Sequence, residues 1–481
     1  MLLSALLDTV PLTARYGGDV NVKSLSASAD GCGVCALFFC LAGTRHDGHD
    51  YAEIARKNGA VALVTQRRLP VDMPQVVVPD TREAMARIAG NFYGNPARGM
   101  KMVGITGTNG KTTTTFIARS IAEAAGYRVG LIGTTAVYIG GERLPAHLTT
   151  PDPIELHALL AKMADAGCDW VIMEVSAHAI ALKKLAGIVF DVLMFSNLSG
   201  DHLDFFGTME RYRSTKVDYF CSQNARLAVV NVDDEAGREI LMNADLPCYT
   251  YGTELPADVF AVDYNAAVDG QSYVINLLDH LYDIRFSLPG RFNLYNSMAA
   301  ATAAFLLGVD LKTIAAGIAS LTAVPGRYNI LNTEPFRVIV DYAHTPDGLK
   351  NVLSSIREYA AARVLVVFGC GGDRDKTKRA AMGEVAGSLS DYAVITSDNP
   401  RGEEPEAIIA AVEIGMKRTG TPYACIVDRA KAIAHALSYA AKDDVILIAG
   451  KGDEPYQEIM GVKYPFSDEA VVYGLRKEQL N

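Results

Sequence analysis

Along the chain, short unbroken apolar runs alternate with longer stretches in which apolar positions return every three or four residues. The runs at 60–65 (AVALVT) and 75–78 read as strands, and the stretch after Asp80 reads as a helix. Asp80 with Glu83 three residues on is a capping-box pattern, and Met85, Ile88 and Phe92 share one helical face. Gly94-Asn95-Pro96 stops that helix. From about residue 100 the alternation is regular: a strand at 101–105, a helix at 111–125 ended by Gly126, then strands at 128–132, 169–173, 191–195 and 225–230. After Val324-Pro325-Gly326 it repeats, with strands at 337–340, 363–368, 392–396 and 445–448 and helical segments between. Such alternation predicts parallel strands joined by crossover helices, so the expected fold class is α/β. The punctuation divides the chain into three blocks, 1–99, 100–330 and 331–481.

The length of 481 residues agrees with three domains of roughly 150 residues. A chain that is 49% hydrophobic and 21% charged is not disordered. The longest apolar stretch, 297–309 (SMAAATAAFLLGV), is too short to span a bilayer and carries polar residues. The first seven residues are apolar but lack a basic lead, and Asp8 follows, so no secretory leader pattern is present. The expectation is a cytoplasmic protein. A net charge of −10 argues against nucleic acid or an anionic membrane as the main partner and leaves acidic small molecules, met by local basic patches. The eight cysteines sit mostly in apolar runs, as reduced buried thiols do; Cys32 and Cys35 read C-x-x-C, but no second pair completes a zinc site.

Chemistry concentrates at Gly104-Ile-Thr-Gly-Thr-Asn-Gly-Lys-Thr-Thr113, between a strand and a helix. Glycine-rich backbone can approach phosphate oxygens, and the helix N-terminus adds about half a positive charge. Lys111 suits β/γ-phosphates and the Thr112 hydroxyl suits Mg²⁺. The usual phosphate loop has Gly where Ile105 stands, so this is a shortened variant. Glu174 follows a strand, and His202 lies in Asn197-Leu-Ser-Gly-Asp-His-Leu-Asp204 just past another. Both stand where α/β sheets hold ligands, and both suit a divalent cation beside a triphosphate. Lys216 reads, on chemistry alone, as a solvated helix lysine. Asp341, in DYAHTPD (341–347), suits a ribose or a cation. Arg374 and Arg401 bring guanidinium groups to neighbouring strand ends, as an anionic-substrate pocket would.

With GITGTNGKTT (104–113), TTPD (149–152), EVSAHA (174–179), NLSGDHLDFFGTME (197–210), GRFNLYN (290–296), VPGRYN (324–329), DYAHTPD (341–347), GCGGDRDKTKR (369–379), SDNPR (397–401) and GKGDE (450–454), nearly the whole chain resembles the Mur ligase family. The resemblance implies a three-domain architecture: a UDP-sugar-binding domain over 1–99, a central ATP-binding P-loop domain over 100–330, and a C-terminal Rossmann-like domain over 331–481 for the incoming amino acid. It implies ATP as co-substrate and Mg²⁺ as cofactor. It also implies a monomer that takes small-molecule substrates without nucleic acid or membrane insertion.

By the resemblance, Gly107, Thr108, Asn109, Gly110, Lys111, Thr112 and Thr113 hold ATP, with Asn296, Arg327 and Asp341. Thr112, Glu174, His202 and Lys216 serve the metal, Lys216 as a carbamate. Lys111, Glu174, His202 and Lys216 are the expected catalytic set. Thr149, Thr150, Ser176 and Lys184 face the muramyl dipeptide, and Thr44, Arg45 and His46 its uridine end. Arg374, Asp398, Asn399, Pro400, Arg401, Gly450 and Glu454 form the amino-acid pocket. The implied reaction phosphorylates a D-Glu γ-carboxylate, which the amine of meso-diaminopimelate then attacks. L-Lysine is the alternative amine, and a divergent member with altered activity is the alternative protein. A folylpolyglutamate synthetase-like ligase and a non-catalytic P-loop protein are the rival classes. Departures from the family pattern are Leu182, Lys184, Gly200, Asp453 and the segment Ser28-Ala29-Asp30.

Overall fold

A computed structural model describes residues 1–43, 46–267, 269–331 and 333–480, with side chains through Arg476. Three sheets carry the architecture. The first has five strands in the order Ala14–Tyr16, Gln75–Val77, Ala60–Thr65, Ala36–Phe39, Ser24–Ser26, parallel except for the first pair. Helix Thr81–Phe92 follows it. Asp80 caps that helix as expected, its carboxylate accepting from the backbone N–H of Arg82 and Glu83. The reciprocal arm of the capping box is missing: Glu83 turns instead to Lys183 and Arg87.

The second sheet has eleven strands. Its parallel centre runs Ala225–Asn231, Phe190–Phe195, Lys101–Thr106, Trp170–Glu174, Val129–Ile132. These strands are continuously apolar because helices cover both faces. The apolar stretch near 300 is a core element: helix Arg291–Leu306 is buried nearly all round and packs against helix Lys111–Ala124. Among the described residues, no helix is long and apolar enough to cross a membrane.

The third sheet has six strands, ordered Asn329–Leu331, Arg337–Asp341, Val445–Ala449, Val364–Phe368, Tyr392–Ile395, Tyr423–Cys425, parallel after the first. Strand Asn329–Leu331 already belongs to this sheet, so a border between 330 and 331 cuts through it; the structural border lies before Asn329. A small hairpin, Tyr456–Ile459 with Val462–Pro465, is laid against Arg401.

The third sheet's last helix is pinned by an ion pair shut away from water. Arg429 Nε and Nη2 each donate to the Asp468 carboxylate at 2.7 Å, and Nη2 also donates to the carbonyl of Ala449 at 3.0 Å. Both side chains have no exposed surface. Removing one partner strands a buried charge. Arg429→Met should therefore cost about 3–5 kcal/mol, and replacing both partners with Met should recover most of it. Hydrogen exchange of strand Val445–Ala449 under rising urea checks this.

Candidate active site

The central strand Lys101–Thr106 runs into the loop 107–110, and helix Lys111–Ala124 starts directly after. Gly110 needs its missing side chain: φ is 90°, and a Cβ there would overlap Asn296 Oδ1. The loop is held from the neighbouring strand's end. Asn109 donates its N–H to Asn197 Oδ1 (2.9 Å), Thr108 N–H donates to the Asn197 carbonyl (2.8 Å), and Ser196 Oγ donates to the Asn109 carbonyl (2.7 Å). Lys111 Nζ folds back onto the loop and donates to the carbonyls of Gly107 and Thr108, each at 2.8 Å. Burial lowers the pKa of its ammonium, against the pull of Glu174 and Asp201.

Glu174 is the last residue of strand Trp170–Glu174 and is buried. Its Oε1 accepts from Thr112 Oγ1 (2.9 Å) and from the Thr134 N–H (2.8 Å); its Oε2 accepts from Thr134 Oγ1 (2.9 Å). His202 lies edge-on to His178, ring centres 4.8 Å apart, and burial pushes its pKa down to about 4. The imidazole is therefore neutral, with a lone pair to give. Asp201 Oδ2 lies 3.3 Å from His202 Nε2 and 3.9 Å from His344 Nε2. Burial opposes ionisation of Asp201, but His344, His202 and Lys378 together lower its pKa to about 2.

Lys216 is not the solvated helix lysine that its sequence chemistry suggests. It is fully buried, its Nζ has no hydrogen-bond partner among the described residues, and it lies 4.4 Å over the ring of Tyr212. Burial first, and Lys111 second, drive its pKa well below the ordinary lysine value. A bare ammonium there would repel a divalent cation, whereas a carbamate on the orphaned Nζ would be an anionic ligand. Thr112 and Glu174 supply the oxygen donors that Mg²⁺ favours. Among the described residues no group of three or more His, Cys, Asp or Glu forms a closed metal cage. An open donor set suits a cation shared with phosphate oxygens.

Around these groups lies a cavity of about 990 Å³. It gathers the whole loop 107–113 with Glu174, His202, Asn296, Arg327 and Asp341. On one side it is closed by Thr149, Thr150, Ser176 and Lys184, and Leu182 joins them. Thr150 Oγ1 donates to the Glu174 carbonyl (2.8 Å), and Lys184 Nζ pairs with Asp152 at 2.8 Å. Arg327 Nη2, from the segment just before the third sheet, reaches Thr112 Oγ1 (3.2 Å), and Asn109 Nδ2 donates to Asp347 (3.0 Å), so the third domain touches the loop directly through Asp347. Asp341 accepts the backbone N–H of Tyr328 and Ala343, and burial raises its pKa.

A second cavity of about 160 Å³ lies between the third domain and the segment 201–204 of the second. Arg374, Asp398, Asn399, Arg401, Gly450 and Glu454 line it. Asp201, His202, Tyr342, His344 and Arg374 line both cavities, so the two spaces meet there. Pro400 lines neither; it is buried, and its carbonyl packs against Gly372. His46 is exposed and lines neither cavity, while Thr44 and Arg45 lie outside the described residues. Asp201 and His344 at the junction, and Lys378 in the smaller cavity, are the groups that sequence reasoning missed. The signals were within reach: Asp201 adjoins His202, and His344 sits inside 341–347.

Three family descriptions cover most of the chain. "Mur ligase family, catalytic domain" matches 21–93, "Mur ligase middle domain" matches 105–304, and "Mur ligase, glutamate ligase domain" matches 326–452. The chain belongs to the Mur ligase family. It is similar to the UDP-N-acetylmuramoyl-L-alanyl-D-glutamate--2,6-diaminopimelate ligase of Caldanaerobacter subterraneus subsp. tengcongensis, with 43% identity over 439 residues, 91% of each chain. A solved structure carrying that same enzyme name superposes with a TM-score of 0.69, 30% identity and 96% of each chain covered. The MurF ligase from Thermotoga maritima, solved in complex with ADP, shares the fold at a TM-score of 0.64 and 22% identity, over 95% of this chain and 98% of that one.

The loop geometry makes a prediction. Gly110→Ala forces a left-handed residue to carry a side chain and displaces Asn296, so nucleotide affinity should fall about tenfold or more. Titration calorimetry with ATP reads it, and an unchanged Kd would contradict the account.

Proposed function

We infer that the chain is an ATP-dependent amide ligase. It joins an amino group of meso-diaminopimelate to the D-Glu γ-carboxylate of UDP-N-acetylmuramoyl-L-alanyl-D-glutamate, extending the peptidoglycan stem peptide. The observation that carries this reading is the junction: a pocket holding Arg401 opens onto the phosphate-loop cavity along Asp201, His202, Tyr342, His344 and Arg374.

A carboxylate resists attack by an amine, and phosphorylation gives it a leaving group. The triphosphate lies against the loop 107–113, where the backbone N–H groups and the start of helix Lys111–Ala124 meet its charge. Lys111 Nζ exchanges the carbonyls of Gly107 and Thr108 for the β/γ-phosphates. Arg327, already beside Thr112, approaches from the segment that leads into the third domain. Together they stabilise charge that spreads over the phosphoryl group as it passes to the γ-carboxylate oxygen. Thr112, Glu174, His202 and a carbamylated Lys216 would hold Mg²⁺, which offsets phosphate charge when bound. Thr149, Thr150, Ser176 and Lys184 hold the dipeptide; the first domain, through the 44–46 segment, holds the uridine end. The amine then attacks the acyl phosphate. A tetrahedral intermediate collapses to the amide, and phosphate departs. On this reading the enzyme works in the cytoplasm as a monomer on small molecules, without nucleic acid or membrane insertion.

Arg401 selects the amine. Its Nη1 donates to the Gly372 carbonyl at 2.9 Å and its Nε lies 3.6 Å from Glu458 Oε2; the N–H donors left over suit the distal carboxylate of diaminopimelate. L-Lysine has no such carboxylate and would leave those donors unmet. ADP release with the UDP-dipeptide should therefore favour diaminopimelate over L-lysine by about 10²–10³-fold in kcat/KM. Arg401→Ala should raise KM for diaminopimelate about 100-fold and leave ATP binding unchanged. Equal rates with both amines would reject the amine assignment, and no ADP release with any muramyl peptide would reject the ligase.

Lys216 gives a second measurement. Protein equilibrated with ¹³C-bicarbonate should show one carbamate carbon resonance that Lys216→Arg lacks; its persistence in that variant would assign the carbamate elsewhere.

A further inference from the structure

Lys451 stands between Gly450 and Gly452 in the 450–454 segment, has no exposed surface, and has no part in the reaction as described above. Gly450 lets it enter: φ is 119°, and a Cβ at that position would run into Asp398 Oδ2. Lys451 Nζ then donates to Asn399 Oδ1 at 3.1 Å and to Glu454 Oε2 at 3.0 Å. Asn399 Nδ2 donates to that same Oε2 at 2.8 Å, and the Glu458 N–H donates to Asn399 Oδ1 at 2.9 Å.

These bonds fix two choices that the side chains could otherwise make either way. Two donors, one from the ammonium and one from the amide N–H, hold the Asn399 oxygen, so the Asn399 amide cannot flip, and its Nδ2 must face Glu454. Both bonds to Glu454 fall on Oε2, and among the described residues none falls on Oε1. Asn399 and Glu454 both line the smaller cavity. One carboxylate oxygen is thus anchored and the other kept for a ligand. A free acceptor oxygen beside a fixed amide N–H is what the ammonium and carboxylate of an amino acid require.

We propose that Lys451 is the positioning residue of the amine pocket: buried beneath Asn399 and Glu454, it sets the orientation of both and presents Glu454 Oε1 to the ammonium of the incoming amine. Lys451 does not touch the substrate. The inference rests on the ligase reading above.

Steady-state ADP release by the full chain tests it, with ATP and diaminopimelate varied in turn and the UDP-dipeptide saturating. Lys451→Met should raise KM for diaminopimelate about 10- to 100-fold, the weight of charged hydrogen bonds in a buried site, with KM for ATP within about twofold. Lys451→Gln keeps a donor and should fall between. In a Glu454→Gln background, Lys451→Met should add less than about threefold, because the group it steers no longer carries charge. A diaminopimelate KM within about twofold of wild type in Lys451→Met overturns the proposal, and so does an undiminished effect in the Glu454→Gln background. If both Lys451 variants lose their cooperative thermal melt, the lysine is a folding residue and the proposal is equally wrong. Failure of the ligase reading looks different: wild-type chain then releases no ADP on addition of diaminopimelate, and the proposal falls with it.

Discussion

The bond from Thr112 Oγ1 to Glu174 Oε1, 2.9 Å long and closed to water, joins the first turn of a helix to the end of the adjacent strand. It fixes where the phosphate loop ends relative to the sheet. Around it the constraints radiate. Thr134 holds both oxygens of the same carboxylate, Asn197 and Ser196 hold the loop backbone, and Arg327, just ahead of the third domain, reaches the Thr112 hydroxyl. A loop held on so many sides is organised before nucleotide arrives, so binding does not have to order it.

The site's other problem is cations in low dielectric, and the fold answers it differently in each place. Arg429 receives a full carboxylate partner, which makes it part of the framework. Lys111 takes two loop carbonyls, contacts it can leave when phosphate comes. Lys451 takes an amide and a carboxylate that themselves face the amine cavity. Lys216 has only the face of the Tyr212 ring and, among the described residues, no hydrogen-bond partner, and a buried ammonium so poorly met is the most costly of the four. That cost favours the neutral amine, and a neutral amine is the form that can combine with carbon dioxide.

Much of this was legible in the sequence, because strand ends carry the chemistry. The run 101–105 and the helix start at Lys111 place the loop on the central strand, and Glu174 and His202 follow neighbouring strands in the same sheet. Arg374 and Arg401 follow neighbouring strands of the third sheet and do share a cavity. What stayed hidden depends on contacts between distant segments. A lysine at a helical position reads as solvated, yet Lys216 is fully buried with its Nζ over the Tyr212 ring. Pro400 stands among pocket residues in sequence, but its carbonyl is used against Gly372. The single strand Asn329–Leu331 pairs forward with Arg337–Asp341, which no periodicity in three residues can announce. Glu83 matches a capping box, but an ion pair from Lys183 in the next domain claims it.

The positions that depart from the family pattern fall into two groups once their surroundings are known. Gly200 has open space where a side chain would stand, so nothing in the loop before Asp201 depends on it. Leu182 and Lys184 both line the larger cavity with Thr149, Thr150 and Ser176. Lys184 keeps a positive charge there, but as a point charge already paired with Asp152, where a guanidinium could have served two acceptors at once. Asp453 lies against Gly326, at the join between the second and third domains. Burial raises its pKa while Arg327 lowers it, so its charge is coupled to the arginine that meets Thr112. The departures therefore fall on one wall of the larger cavity and on the join between the domains. The bonds among Thr112, Glu174 and Thr134, and those from Lys111 to its loop carbonyls, include none of these positions; Asp453 alone reaches them, and only through Arg327.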